Sequence, residues 1–275
     1  YPMYAISFWK RRLKALLLPF YTVFALGFLG TLLFFPERYA GIPAWTILLS
    51  AAGMDGYLLE VIPNFYVTGE WFLGCLILLY LCFPLLKKGV EKKPVLTAAV
   101  TLACWGLLLA FFDVPLFGSR DRWFFLRLPE FMCGMYFVKY LKADRKMIYG
   151  PAGLVLASLW FFPLFPAQFE LVQRLFVTAG IFLLVRCLGE LAEGRLGAAE
   201  TAVRFFADHS YGFFLLHHIM ILVAAAAAAK ALDGRPLRFL PAALLLAGLF
   251  ALCLFGAWAL GILTGNRRRA AKKDE

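Results

Sequence analysis

Arg127 and Glu130 stand inside an apolar stretch, Trp123 to Val138, that is long enough to sit in lipid. A charged side chain at membrane depth costs about 2.5–3.5 kcal/mol on insertion scales, so it usually faces a protein interior or a wet cavity. Three residues apart on a helix, the two share a face and can neutralise each other. That spacing serves either a structural ion pair between helices or the wall of a polar site. Arg174 and the pair His217-His218 lie in other apolar stretches. A neutral imidazole at depth can act as a general base or orient a substrate, because its proton affinity responds strongly to surroundings. His218 projects about 100° away from His217 on a helix and reads as packing.

These groups need helices to hold them, and composition says where those helices are. Of 275 residues, 63% are hydrophobic and 16% charged, which excludes a soluble globular domain and implies a polytopic all-α transmembrane bundle. Net charge is +11, yet the basic residues gather at the ends of apolar stretches, and no aromatic-basic nucleic-acid motif is present, so nucleic acid is not an expected partner. The six cysteines fall in or beside apolar stretches without a CxxC pair and read as small packing residues. No Gly-rich phosphate loop, GxSxG or HExxH occurs. Asp208-His209-Ser210 are adjacent, and adjacent helical residues cannot form a nucleophile–base–acid chain. The three histidines crowd within one short segment, with no matching cysteine or carboxylate group elsewhere, so neither a metal nor a bound cofactor is expected.

Eight candidate spans emerge: Leu13–Phe35, Glu70–Leu86, Val95–Phe112, Trp123–Val138, Met147–Phe165, Phe169–Leu188, Phe205–Ala229 and Phe239–Thr264. Pro43–Ala52 is too short to cross and is expected at the interface or folded back. Gly189–Arg204 is expected to form a short surface helix. Most of the 28 basic residues lie in alternate segments, at Lys10–Lys14, Lys87–Lys93, Lys139–Lys146, Arg186–Arg204 and Arg267–Lys273. The opposite loops hold only Arg38, Arg120, Arg122, Lys230, Arg235 and Arg238. The positive-inside rule therefore puts both ends in the cytoplasm, as an even number of spans requires. Residues 1–265 read as one transmembrane domain and 266–275 as a basic cytoplasmic tail.

Depth follows from helical rise. Arg127 and Glu130 fall roughly 6 and 10 Å below the outer face, Arg174 in the outer half of its span, and His217 about 18 Å from the inner face. The densest basic patch, Lys10–Lys14, is on the inside. This layout suits two substrates arriving from opposite sides.

At four places the chain resembles acyltransferase family 3, bacterial membrane enzymes that acylate sugars. Phe8-Trp9-Lys10-Arg11-Arg12-Leu13-Lys14 running into a Leu-rich span with Pro19-Phe20-Tyr21 is similar to the family's basic segment. Trp71-Phe72-Leu73 with Tyr80 and Pro84-Leu85-Leu86 is similar to its W-x-L…Y…P-L-L span, Arg127-Leu128-Pro129-Glu130-Phe131 with Gly134 to its R-L-x-E-F-x-x-G block, and Ser210-Tyr211 through His217 to its S-Y-x-x-Y-L-x-H block. The resemblance implies a transferase moving an acyl group, most simply acetyl, from acetyl-CoA to a hydroxyl of a lipid-linked or cell-surface saccharide at the bacterial cytoplasmic membrane. It implies Arg11, Arg12 and Lys14 on the phosphates of the acyl-CoA, Trp71, Arg174 and Tyr211 on the acceptor, and Arg127, Glu130 and His217 at the reaction. The family's ten spans open with one carrying an Arg and, about ten residues on, a His base. Eight spans and no such pair are found here, and Ala15 and Leu76 replace residues common in the family. The expectation is that two spans precede Tyr1 and that the chain alone is inactive. A transporter or flippase of a lipid-linked saccharide, or a non-catalytic membrane subunit, are the alternatives.

Overall fold

A backbone in hydrocarbon must satisfy its own hydrogen bonds, and this chain does so almost wholly by helix. The computed structural model describes residues 2–111, 122–141, 146–162, 164–166, 169–195, 197–232 and 238–265. The tail with Arg267, Arg268, Arg269, Lys272 and Lys273, and the loop residues Arg120, Lys142, Arg145 and Arg235, lie outside the described residues. Among the described residues there are ten α-helices and no strand: α1 Pro2–Phe34, α2 Ile47–Ala51, α3 Asp55–Leu58, α4 Glu70–Lys92, α5 Pro94–Phe111, α6 Leu128–Tyr140, α7 Lys146–Ser158, α8 Glu170–Ala192, α9 Ala198–Leu232 and α10 Phe239–Leu263. Six of them, α1, α4, α5, α8, α9 and α10, are long and apolar enough to cross a membrane. Large apolar side chains such as Leu85, Val95, Leu240 and Leu263 face outward, as lipid rather than water demands. The protein is an all-α polytopic integral membrane protein.

Two expected spans take a different form. Trp123–Val138 is not one helix: Phe124–Arg127 is a 3-10 turn, and α6 starts only at Leu128. Pro129 is the cause, since inside a continuous helix its ring would strike the carbonyl of Phe125, whereas in the first turn of α6 its missing N–H costs nothing. Met147–Phe165 is likewise shortened, with α7 ending at Ser158, a 3-10 turn over Leu159–Phe161, and an extended Phe162 ahead of Pro163. At 13 residues each, α6 and α7 run about 20 Å, short of the roughly 30 Å hydrocarbon core. Eight full spans are thus not confirmed: among the described residues six helices are long enough to cross, and the other two expected spans hold shorter helices. Among the described residues no separate surface helix covers Gly189–Arg204 either: α8 continues to Ala192, Gly194 takes φ +71° just beyond its end, and α9 begins at Ala198.

The helices form two compact units. The first comprises residues 1–74 and 199–275. There the non-helical segment after α3 runs between α1 and α9. Phe65 packs edge-on against Phe28 with ring centroids 5.6 Å apart, Val67 fills the notch at Gly27, and Gly69 lies against Phe20 one to two turns deeper. Gly69 has φ +100°, and a Cβ there would come 3.0 Å from the Phe20 ring, so both backbone and space call for glycine. On the other side Tyr66 meets His218 edge-on and the Thr68 hydroxyl donates to the Leu215 carbonyl of α9. Non-helical backbone at this depth is tolerated because protein encloses it. Gly212 of α9 packs on Ala257 of α10, and Phe213 and Phe206 pack on Phe250.

The second unit is residues 75–198. α7 and α8 touch backbone to backbone: a Cβ on Gly180 would lie 2.5 Å from the Ala157 nitrogen, and one on Gly153 2.8 Å from the Gly180 carbonyl. Small residues are how helices associate where lipid removes the hydrophobic drive. α6 is fixed at both ends. Trp105 of α5 donates to the Leu126 carbonyl at 3.2 Å, within a cluster of Trp105, Leu109, Trp123, Leu126 and Leu171. At the other end Lys139 donates to the Val90 carbonyl at 2.7 Å, a cation on the C-terminal turn of α4, and Tyr136 donates to the Pro94 carbonyl at 2.6 Å.

Candidate functional site

Because Pro129 delays α6, Arg127 becomes its N-cap and points back along the first turn. Its guanidinium donates to Glu130 Oε1 at 2.7 Å, and each side chain keeps only 18% exposure. The expected pair forms, and it is not a sealed one. Arg127 lines a cleft of about 720 Å³ with Ala157, Trp160, Phe161, Arg174, Val177, Thr178 and Ile181. Glu130 lines a neighbouring hollow of about 80 Å³ with Gly134, Phe137 and Phe182, and Thr178 borders both spaces. Glu130 Oε2 is buried with no hydrogen-bond partner among the described residues. A carboxylate with one oxygen held and the other unpartnered keeps acceptor capacity for a hydroxyl that reaches it.

Arg174 enters the cleft from α8. Its Nε and Nη2 both contact Glu170 Oε1, at 3.1 and 2.8 Å, in a pair exposed at the surface. It also lies within electrostatic reach of Glu130. The structure thus brings Arg127, Glu130 and Arg174 into one polar region of the second unit. Gln173 shapes its rim: the amide donates to the carbonyls of Leu159 and Phe162 at 2.6 and 2.9 Å and accepts from the Leu164 N–H at 3.1 Å. Those bonds pin the turn that carries Trp160 and Phe161. Gln173, Thr178, Trp160 and Phe161 were not singled out from sequence, although Glu170, Gln173, Arg174 and Thr178 recur at the helical spacing of a polar face within an apolar span.

The other expected residues belong to the first unit. His217 Nδ1 lies 2.7 Å from the Phe214 carbonyl. A carbonyl only accepts, so in neutral His217 the proton sits on Nδ1 and the Nε2 lone pair is left as a base. Phe213 stacks parallel to the ring at 6.3 Å and Phe214 tilts against it at 5.9 Å, which fixes the direction of Nε2. Tyr211 donates to the Leu16 carbonyl at 2.9 Å, tying α9 to α1 one turn before Pro19. Arg11 and Arg12 lie along α1, Arg11 Nε on the Ser7 carbonyl at 3.2 Å and Arg12 over the Phe8 ring at 5.9 Å, with Lys14 one turn on. Trp71 opens α4 in edge contact with Phe72. Outside the six long apolar helices, at the start of α3, Asp55 is 1% exposed, and burial pushes its carboxyl up to about 6; Ser50 nearby opposes the shift, though neither carboxylate oxygen closes a hydrogen bond among the described residues.

Comparison with curated proteins and with solved structures found no match. Residues 1–262 match the acyltransferase domain of acyltransferase family 3, nearly the whole described chain including every candidate site residue. The chain belongs to acyltransferase family 3 and is a membrane acyltransferase.

Proposed function

We propose that the protein transfers a short acyl group, acetyl in the simplest case, from acyl-CoA to a hydroxyl of a lipid-linked or cell-surface saccharide, in the cytoplasmic membrane of a bacterium with both chain ends inside. Family membership supports acyl transfer, and the observation that most favours a hydroxyl acceptor is the pairing of Glu130, its Oε2 buried and unpartnered, with Arg127, which lines a cleft of about 720 Å³ together with Arg174 and an aromatic rim. In this reading the acceptor oxygen attacks the thioester carbonyl, the C–S bond breaks, the hydroxyl proton goes to a base, and the CoA thiolate leaves and is protonated. Glu130 and Arg127 orient and polarise the acceptor, Trp71, Arg174 and Tyr211 help bind it, and His217 Nε2 positions it or takes part in proton transfer. Arg11, Arg12 and Lys14 hold the phosphates of the acyl-CoA as fixed cations.

The test is transfer of label from [14C]acetyl-CoA to saccharide by the purified native protein. His217→Ala is expected to lower turnover by about 10²-fold or more at unchanged expression, the usual weight of a proton-transfer group. Wild-type turnover in that variant removes His217 from the reaction. Unmodified saccharide crossing a vesicle membrane, with no label transferred, supports the flippase alternative.

A further inference from the structure

The cleft of the second unit separates its charges. Arg127 and Arg174 both line it, while neither of their carboxylate partners does: Glu130 lines the smaller hollow, and Glu170 is not among the lining residues. The wall therefore presents guanidinium groups whose charge is neutralised from behind by carboxylates 2.7 and 2.8 Å away. The two pairs also differ in strength. Arg127–Glu130 is half-buried and short, whereas Arg174–Glu170 is exposed, with 57% of the Glu170 side chain accessible. An exposed i,i+4 pair on a helix is held weakly, and an incoming anion can exchange for the carboxylate. A guanidinium favours a partner with two or more oxygens in a plane or a tetrahedron, such as phosphate, over the single oxygen Glu170 supplies. Trp160 and Phe161 form the rim beside it, largely exposed and held in place by Gln173. A guanidinium wall plus apolar rim selects an amphiphile with an anionic joint.

We infer that this cleft binds the phosphate that joins a saccharide to its lipid carrier, with Arg174 as the phosphate anchor and the Trp160–Phe161 rim against the lipid-proximal part. The inference rests on the saccharide-acylating reading and narrows its acceptor to one still carried on a lipid phosphate. Arg174 is then a specificity-determining residue, and Glu170 is its displaceable counter-ion.

The experiment is equilibrium binding to the native protein in phosphatidylcholine nanodiscs, which requires no acyl transfer. The probes are farnesyl phosphoryl-glucose, the uncharged octyl glucoside, and phosphatidylglycerol as a bilayer anion. Wild type is expected to bind the phosphoryl probe at least tenfold more tightly than the glucoside. Arg174→Gln abolishes that preference, weakening the phosphoryl probe at least tenfold more than the glucoside, Arg174→Lys retains part of it, and Glu170→Gln retains it or strengthens it. Equal loss of both probes in Arg174→Gln, with Arg174→Lys unable to restore the preference, overturns the inference, as does phosphatidylglycerol displacing the phosphoryl probe at equal concentration. If phosphoryl-probe binding behaves as expected but no acetyl transfer occurs, the enzymatic reading fails and the anion site stands. Transfer without phosphate preference has the opposite meaning.

Discussion

Removing Arg127 leaves Glu130 in a half-buried site with one oxygen already unpartnered. Breaking a fully buried ion pair by deleting one member costs about 3–5 kcal/mol. Here each side chain keeps 18% exposure and Arg174 lies within reach of the stranded carboxylate, so Arg127→Gln is expected to destabilise by roughly 2–3 kcal/mol. Glu130→Gln should cost less, about 1 kcal/mol, because the amide oxygen still accepts from Arg127 and the guanidinium stays partly wet. The double variant removes both charges and should cost clearly less than the sum, giving a coupling energy of at least about 1 kcal/mol. Reversible unfolding in mixed micelles measures all three, and acyl transfer is assayed on the same preparations. A structural pair predicts activity that tracks stability and returns in the double variant; a site-lining pair predicts activity that stays lost after stability returns. Additive single effects within about 0.3 kcal/mol would refute the energetic reasoning, since the two groups would then not be interacting.

Asp55 has a folded-state pKa of about 6 against an ordinary 3.8. The unfolded chain releases that proton first, so stability should fall as pH rises through the window from about 4 to about 6 and level off above it. Asp55→Asn should flatten that slope and raise stability at pH 7 by an amount on the order of 2–3 kcal/mol, read from melts at pH 4, 5, 6 and 7. Gly180→Ala should destabilise by about 1–3 kcal/mol because its Cβ meets backbone of α7, which cannot step aside. Gly189→Ala, with open space at its Cβ, should be neutral or slightly stabilising in the same melt. Tyr211→Phe removes the bond to the Leu16 carbonyl and should cost about 1 kcal/mol; an acceptor-binding role additionally requires a raised acceptor KM, and unchanged KM would confine Tyr211 to tying α9 to α1.

Membrane class, helical fold and the identity of the charged residues were legible in the chain itself, because lipid imposes one-dimensional rules: a length of apolar sequence for each crossing and a cost for each charge. The pairing of Arg127 with Glu130 was readable too, since three-residue spacing brings side chains together whether the first residue is inside the helix or caps it. Tertiary structure decided what those rules do not reach. Proline chemistry, visible in the sequence as Pro129 and Pro163, cut two apolar stretches short, yet hydropathy alone counts them as full spans. The cleft depended on contacts between distant segments: glycines that let α7 and α8 touch, a glutamine that pins the aromatic rim, and an arrangement that puts both guanidiniums on one wall and their carboxylates elsewhere. Apolar periodicity specifies which face of a helix is buried, but only packing specifies what that face meets, and the charge of a cavity depends on which atoms meet there.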